Sequence, residues 1–151
     1  MGAVLSNGFA GGCLCGRVTW RCEAEPMMVG HCHCVDCRKS SGTGHATHVV
    51  VPADALHVEG ELRFYDRPAD SGNLVSRGFC PACGSQIYSL NAAMPGLAFL
   101  RASSFDEPGR LVPQMVVYAS RAPAWDHVDP SLPAFAVMPE GGPGKGLAES
   151  A

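Results

Sequence analysis

The sequence predicts one mainly β domain built from many short strands and turns. Its 151 residues and 15.8 kDa are the size of a single ordinary domain. The 18 glycines and 12 prolines are spread along the chain, so the segments between them are short. None of those segments has the apolar periodicity of an amphipathic helix of three turns. These three observations favour a fold based on sheets over a helical one.

The individual elements follow from local patterns. Residues 17–22 alternate between polar and apolar side chains, as a half-buried strand does. Residues 48–51 end at Pro52 and are typical of a more buried strand, whereas residues 37–41 fit a short turn of helix. The other predicted strands are short apolar runs bounded by turn-forming residues, at 56–58, 62–65, 74–79, 86–90, 97–101 and 112–118.

Composition excludes several classes of protein. Hydrophobic residues make up 46% of the chain and charged residues 17%, which indicates a folded core and not a disordered chain. The net charge of −3 and the presence of only two lysines argue against a nucleic-acid partner. No segment approaches the roughly 18 consecutive apolar residues of a membrane span, so we predict no membrane partner.

The two ends of the chain differ from the middle. We predict a flexible N-terminus over residues 1–10, a folded domain over residues 11–139 and a flexible C-terminal tail over residues 140–151. Residues 139–146 contain six glycines or prolines in eight positions, which is typical of a solvated tail. The first sixteen residues carry no lysine or arginine and no apolar run longer than three, so no secretory signal is predicted. We therefore expect a cytoplasmic, reducing location, which disfavours disulfides.

The most informative feature is the grouping of the cysteines. Seven of the eight fall in three tight clusters with metal-ligand spacing, C-x-C at residues 13–15, C-x-C-x-x-C at 32–37 and C-x-x-C at 80–83. Two cysteines separated by two other residues can reach one zinc ion from a tight turn, and Gly84 supplies the cramped backbone that such a turn needs. A C-x-C on a strand would place both thiols on one face. The remaining Cys22 shares the apolar face of its strand with Val18 and Trp20, so we interpret it as a core residue.

The clusters suggest two metal sites. Two pairs make a closed four-thiolate site, and the triplet makes a site with three protein ligands and an open position. Spacing alone leaves this pairing open, because the triplet could recruit His31, His33 or a distant histidine as its fourth ligand. Disulfides and a redox C-x-x-C are the alternatives, which the absence of an export signal and of a βαβ pattern disfavours.

Three segments together make the sequence resemble a known family. Residues 11–18 (GGCLCGRV), 31–42 (HCHCVDCRKSSG) and 77–84 (RGFCPACG) are similar to the glutathione-dependent formaldehyde-activating enzyme family, which also includes centromere protein V. The likeness extends over about residues 11–139, with APAW at 122–125 and LP at 132–133 as later matches.

The resemblance implies a fold, two cofactors and an activity. The fold is a zinc-stabilised β-tent, which methionine sulfoxide reductase B also has. The cofactors are two zinc ions per chain, and the activity is the condensation of glutathione with formaldehyde, a carbon–sulfur lyase reaction. One zinc would be structural, bound by Cys13, Cys15, Cys80 and Cys83. The second would be functional, bound by Cys32, Cys34 and Cys37.

Candidate substrate-binding and acid/base residues lie beside these motifs. Three thiolates make zinc a modest Lewis acid that suits a soft fourth ligand such as a substrate thiolate. We expect His33 or His45 to act as acid or base. Where the family often has large apolar residues this chain has His45 and His48, which could approach the second zinc or serve as a base. The alternative for both is an ordinary hydrogen-bonded or surface role on a strand. We expect Arg38, Lys39 and Arg77 to hold the carboxylates of the thiol substrate, unless they are merely solvated charges.

The sequence therefore predicts an enzyme whose partners are a small thiol and a small aldehyde. The rival hypothesis is a non-catalytic, zinc-stabilised binding module, as centromere protein V suggests. An open fourth position on the second zinc favours the enzyme, whereas a fourth protein ligand favours the module.

Overall fold

The computed structural model describes residues 8–139, in which ten strands form two sheets. The predicted flexible ends, residues 1–10 and 140–151, lie outside the described residues, apart from residues 8–10. The first strand begins at Phe9, two residues before the predicted start of the domain. The strands are β1 (Phe9–Gly12), β2 (Thr19–Cys22), β3 (Met28–Cys32), β4 (Ala46–Pro52), β5 (Leu56–Glu59), β6 (Arg63–Pro68), β7 (Leu74–Phe79), β8 (Gln86–Asn91), β9 (Leu97–Arg101) and β10 (Met115–Val117).

The two sheets differ in size and in strand direction. The small sheet has the order β1-β2-β5 and is antiparallel. The large sheet has the order β10-β3-β4-β9-β8-β7-β6, and its neighbouring strands are antiparallel except for β10, which pairs in parallel with β3. The mainly β fold is thus confirmed.

Helical structure in the described residues is confined to short segments. The one α-helix, α1, spans Val35–Ser41 and ends at Gly42, whose left-handed backbone (φ 85°) places its N–H 3.3 Å from the carbonyl of Arg38. Short 3₁₀ turns occur at Ala53–Ala55, Ala102–Ser104, Pro108–Arg110 and Ala119–Arg121. No helix between residues 8 and 139 is long and apolar enough to cross a membrane.

The main core lies between the two sheets. Trp20 and Cys22 of β2 pack there with Val49 and Val51 of β4 and Leu100 of β9. Cys22 is 1% exposed, which confirms its interpretation as a core residue. Because side chains alternate along a strand, the valines at odd positions of β4 fill this core, while the even positions face the opposite side of the large sheet.

Alternation therefore gives the paired strands β3 and β4 two chemically different faces. Cys32 and Ala46 lie together on the outer face, in a second small cluster with Cys37. His31 of β3 is paired with Thr47 of β4 on the inner face, which continues into the core. This division decides which candidate residues can meet.

Candidate metal centres and an adjoining cavity

Two distant turns bring together the four cysteines of the predicted structural site. Cys13 and Cys15 lie between β1 and β2, and Cys80 and Cys83 lie between β7 and β8, so the cluster joins the two sheets. One sulfur from each cysteine lies within 4.8 Å of the other three. The Cys15 sulfur is 3.6 Å from that of Cys13 and 3.8 Å from that of Cys80, close to the roughly 3.8 Å edge of a zinc tetrahedron.

Local hydrogen bonds support a thiolate at Cys83 of this four-cysteine cluster. The Leu14 N–H donates to the Ser85 hydroxyl over 3.0 Å, and that hydroxyl lies 3.3 Å from the Cys83 sulfur. This hydroxyl, with the backbone N–H groups of Ser85 and Cys15, lowers the pKa of Cys83 to about 5. Gly84 has φ 81°, the left-handed backbone expected after the second cysteine.

The predicted triplet also forms a cluster, at the junction of β3 and α1. Cys32 ends β3, Cys34 precedes α1, and Cys37 lies in its first turn. The Cys34 sulfur caps the helix by accepting the Cys37 N–H over 3.2 Å. Sequence reasoning considered a C-x-C on a strand, and here the structure differs. Residues 13–15 lie in a turn, and the other pair begins at the last residue of a strand.

The three thiols of this cluster have very different pKa values. The neighbouring thiols of Cys32 and Cys37, with the backbone N–H of Cys37, lower the pKa of Cys34 to about 2. Hydrogen bonding to Cys34 and Cys37, together with burial, raises the pKa of Cys32. The cluster therefore favours one thiolate and resists a second, and a bound cation would relieve that repulsion.

The role of His48 was the least determined by the sequence. The groups that could hold a metal include Cys32, Cys37 and His48, and the His48 Nε2 atom lies 3.3 Å from the Cys37 sulfur. Its Nδ1 atom lies 3.0 Å from Arg101 Nη1, which can only donate, so Nδ1 is the acceptor. Burial lowers the pKa of His48 well below its usual range, so the ring is neutral and its proton is on Nε2. We therefore assign Nε2 as a donor to Cys37 in this arrangement.

Two buried guanidinium groups lie near the triplet. Arg101 is 3% exposed and Arg77 is 8% exposed. Arg101 contacts His48 and also donates to Ser89 and to the Phe99 carbonyl through Nη1. Among the described residues, Nε of Arg77 and both Nε and Nη2 of Arg101 have no hydrogen-bond partner. Burial lowers the pKa of Arg101 to about 10, so it remains a cation at neutral pH.

The triplet forms part of the wall of a cavity of about 510 Å³ on the outer face of the large sheet. That volume is within the roughly 300–1,000 Å³ range of small-molecule sites. Arg77, Ser89 and Tyr118 line the same cavity. Tyr118 packs against the cysteines and has φ 53°, the one left-handed non-glycine backbone between residues 8 and 139. Such an outlier in a bulky residue is typical of a functional site.

Comparison with known proteins is consistent with this arrangement. A family model described as glutathione-dependent formaldehyde-activating enzyme matches residues 8–121, about three quarters of the chain, including both cysteine clusters. The chain belongs to this family. It is also similar to a crystal structure of a Rhodobacter sphaeroides protein, with a TM-score of 0.54 and 17% identity over 83% of this chain and 98% of that one. At that identity the likeness supports the fold alone.

In this member of the family, the predicted polar residues do not all meet at the cavity. Arg77 lines it, whereas Arg38 and Lys39, in the last turn of α1, are not among its lining residues. His33 and His45 lie with Asp126, also outside the cavity lining. His33 follows β3 and His45 precedes β4, where they continue the alternation of His31 and Thr47 on the inner face.

Sequence reasoning did not single out Arg101, Tyr118 and Asp126. Arg101 ends an apolar strand, and a cation in that position was the one available signal. Tyr118 and Asp126 follow the last strand, β10, and nothing in the local pattern shows which part of the fold they reach. For His48 and His45, counting positions along β4 would have separated the two histidines by face.

Proposed function

We propose that this chain is a zinc-dependent enzyme of the carbon–sulfur lyase type. It would form or break the adduct between a glutathione-like thiol and a small aldehyde such as formaldehyde. The observation that carries the proposal is a three-thiol cluster in the wall of a 510 Å³ cavity that a buried arginine, Arg77, also lines. Membership of the glutathione-dependent formaldehyde-activating enzyme family supplies the chemical class.

The donor sets fit two zinc ions, and we propose a zinc-stabilised β-tent as the finer description of the fold. One ion would be held by the four-cysteine cluster and the other by the triplet Cys32, Cys34 and Cys37. The sulfur separations of the four-cysteine cluster suit a zinc tetrahedron, and thiolate donors in general suit zinc better than magnesium, calcium or manganese. When bound at the triplet, zinc would keep a substrate thiol in its thiolate form. A reducing compartment would keep the protein's thiols available, so we also propose a cytoplasmic location.

Charge around the triplet favours an anionic fourth ligand. Zinc and three thiolates sum to −1, and the buried Arg77 and Arg101 add +2. Two acidic residues also line the cavity, but each is paired with an arginine outside the lining. Asp36 lies 3.3 Å from Arg67 and Asp70 lies 3.6 Å from Arg121, so their charges are balanced. The net local charge of +1 therefore supports binding of a substrate thiolate or carboxylate, and Arg77, whose Nε–H has no partner, lines the cavity.

The proposed reaction joins the sulfur of the thiol to the carbonyl carbon of the aldehyde. The thiol first loses its proton. As its sulfur bonds to the carbonyl carbon, the carbonyl π electrons move to oxygen, and the oxygen then takes up a proton. The reverse reaction returns both. Tyr118 is our candidate proton donor, because its phenol lines the cavity beside the cysteines. Burial raises the pKa of Tyr118, so the phenol keeps its proton at neutral pH.

One observation favours the rival function, a non-catalytic binding module. His48 is close enough to Cys32 and Cys37 for the three to hold one metal ion. If His48 were the fourth ligand, the site would be closed and structural. We favour the open site because the Arg101 donor occupies Nδ1 of His48 and leaves the proton on Nε2.

Exchange NMR distinguishes the two functions. Carbon-13 formaldehyde and glutathione would be mixed with substoichiometric, fully metallated protein, and the rate of adduct interconversion measured. We expect faster interconversion with wild-type protein, and the uncatalysed rate with Cys34→Ser protein. X-ray absorption spectroscopy at the zinc edge, on the same samples, would show whether glutathione adds a fourth sulfur ligand. An unchanged rate together with a Cys₃His zinc site would support the module instead.

A further inference from the structure

A second cluster of metal-binding side chains lies on the inner face of the β3–β4 pair. His33, which follows β3, and His45, which precedes β4, meet Asp126 from the segment after β10. The Asp126 Oδ2 atom is 2.7 Å from Nδ1 of His45 and 3.3 Å from Nδ1 of His33. One nitrogen or oxygen from each of the three residues lies within 4.8 Å of the others. These residues belong to neither cysteine cluster.

Burying the Asp126 carboxylate costs free energy unless a positive charge compensates it. The Asp126 side chain is 9% exposed and the His33 side chain is 1% exposed. Among the ion pairs of the described residues, Asp126 has imidazole partners and no lysine or arginine. A carboxylate removed from water needs a compensating positive charge. The ring centroids of His33 and His45 are 5.3 Å apart, close enough for one divalent ion to contact both rings and the carboxylate.

The backbone around the cluster is shaped to admit the carboxylate. A Cβ atom at Gly44 would collide with the Asp126 side chain, so only glycine leaves room for the carboxylate beside His45. The Gly44 carbonyl is also 3.0 Å from Nδ1 of His33 and fixes the orientation of that ring. This close approach is independent of the ligand distances and supports a built site.

We propose that His33, His45 and Asp126 bind a divalent transition-metal ion, which would be a third metal centre in this chain. Two imidazole nitrogens and a carboxylate oxygen are a donor set typical of zinc, cobalt, nickel or ferrous iron. The Asp126 carboxylate and one nitrogen of each imidazole would bind the ion, and for His33 that nitrogen would be Nε2, because Nδ1 donates to the Gly44 carbonyl. Because Asp126 lies in the segment after β10, the ion would tie that segment to the ends of β3 and β4. The proposal does not depend on the proposed enzymatic function.

The first test separates sulfur-bound zinc from zinc bound by nitrogen and oxygen in the wild-type protein. An organomercurial titrates cysteine thiolates and releases the zinc that they hold, and a metallochromic indicator counts it. A strong chelator added to the unfolded protein then counts what remained. We expect three zinc ions per chain, of which the mercurial releases two. Two zinc ions in total, both released by the mercurial, would overturn the proposal and leave a hydrogen-bonded cluster.

The second test assigns the third ion to its residues. Asp126→Asn should lower the zinc content from three to two per chain, with both remaining ions released by the mercurial. Asp129→Asn, the same change three residues further on and outside the cluster, should retain three. Retention of the third ion by Asp126→Asn would contradict the assignment.

A histidine variant covers the possibility that Asp126→Asn does not fold. His45→Gln should also bind two ions, and His57→Gln, on the exposed part of β5, should bind three. In the cobalt-substituted proteins, both variants should keep the intense thiolate-to-cobalt absorption of the cysteine sites. Loss of that absorption in His45→Gln alone would show that the cysteine sites were disturbed, and would contradict an independent third site.

Discussion

The four-cysteine cluster and the three-cysteine cluster place the same side chain in two different structural settings. The first gathers sulfurs from two turns some 65 residues apart, as the contact between Cys15 and Cys80 shows, and it joins the two sheets. The second draws all its sulfurs from six consecutive residues, 32–37, and faces a cavity. Closing a longer loop removes more conformational entropy from the unfolded chain, by about 0.6 kcal/mol for each doubling of loop length. Sequence separation of the ligands is therefore a useful guide to whether a metal site is structural.

The largest expected effect is the loss of the fold when the four-cysteine cluster is broken. Structural zinc contributes roughly 10–16 kcal/mol in small zinc peptides, whereas a whole domain is stable by about 5–15 kcal/mol. We therefore expect Cys80→Ser protein to be unfolded, as measured by circular dichroism and thermal denaturation.

Cys22→Ser is the matched control, because it changes a buried cysteine outside both clusters. The hydroxyl in the core should cost about 1–3 kcal/mol and leave the metal content unchanged. A folded Cys80→Ser protein with full sheet content would show that the four-cysteine cluster does not hold the sheets together.

The next effect separates metal binding from folding. Cys34→Ser should lose one zinc ion and the adduct-forming activity, yet keep a cooperative melting transition. The reason is that its ligands come from one turn, and the sheets remain joined through the other cluster. Metal analysis and calorimetry on the same preparation measure both properties. Equal unfolding of Cys34→Ser and Cys80→Ser would remove the distinction between the clusters.

A smaller effect tests the proposed proton donor. Tyr118→Phe keeps the ring and its packing but removes the phenol, so kcat should fall by about 10²–10⁴-fold with little change in KM. Tyr65→Phe, on the exposed strand β6, is the control and should leave kcat unchanged. An unaltered kcat in Tyr118→Phe would assign the proton transfer to another group or to water.

The smallest effect concerns recognition of the thiol substrate. Arg77→Lys keeps a positive charge in the cavity but loses the planar fork that pairs with a carboxylate, so KM for glutathione should rise about tenfold. Arg63→Lys, on the exposed strand β6, should leave KM unchanged. A KM that is equally insensitive to both changes would remove Arg77 from the binding site.

Much of the fold was predictable from local pattern. Strands β7 and β9 coincide with their predicted bounds, and the predicted turn of helix at residues 37–41 is the second half of α1. Two strands were missed, and each has a physical reason. Strand β1 contains two adjacent glycines, Gly11 and Gly12. Strand β3 has Gly30 at its centre and ends at Cys32, in a cysteine cluster. Their pairing partners, not their own propensity, determine these strands.

The candidate site was predictable only where ligands are close in sequence. Motif spacing picked out the three groups of cysteines, because two or three residues fix what a turn can bring together, whereas the pairing of residues 13–15 with residues 80–83 came from the family resemblance. The contribution of His48 required the strand register, which pairs it with Gly30 on one side and with Arg101 on the other. Tyr118 and Asp126 depend on the path of the chain after β10, which no local signal specifies. Long-range contacts of this kind follow from topology alone.

The two faces of the β3–β4 pair also carry different kinds of metal-binding side chain. Soft sulfur donors lie on the outer face, and harder nitrogen and oxygen donors lie on the inner face, at sites only one residue apart in the chain. If both proposed sites bind metal, ions with different ligand preferences would lie on opposite faces of the same strand pair. Deletion of a single residue near the end of β3 would exchange the two faces. The spacing of residues 31–37 is therefore under a constraint that neither site alone would impose.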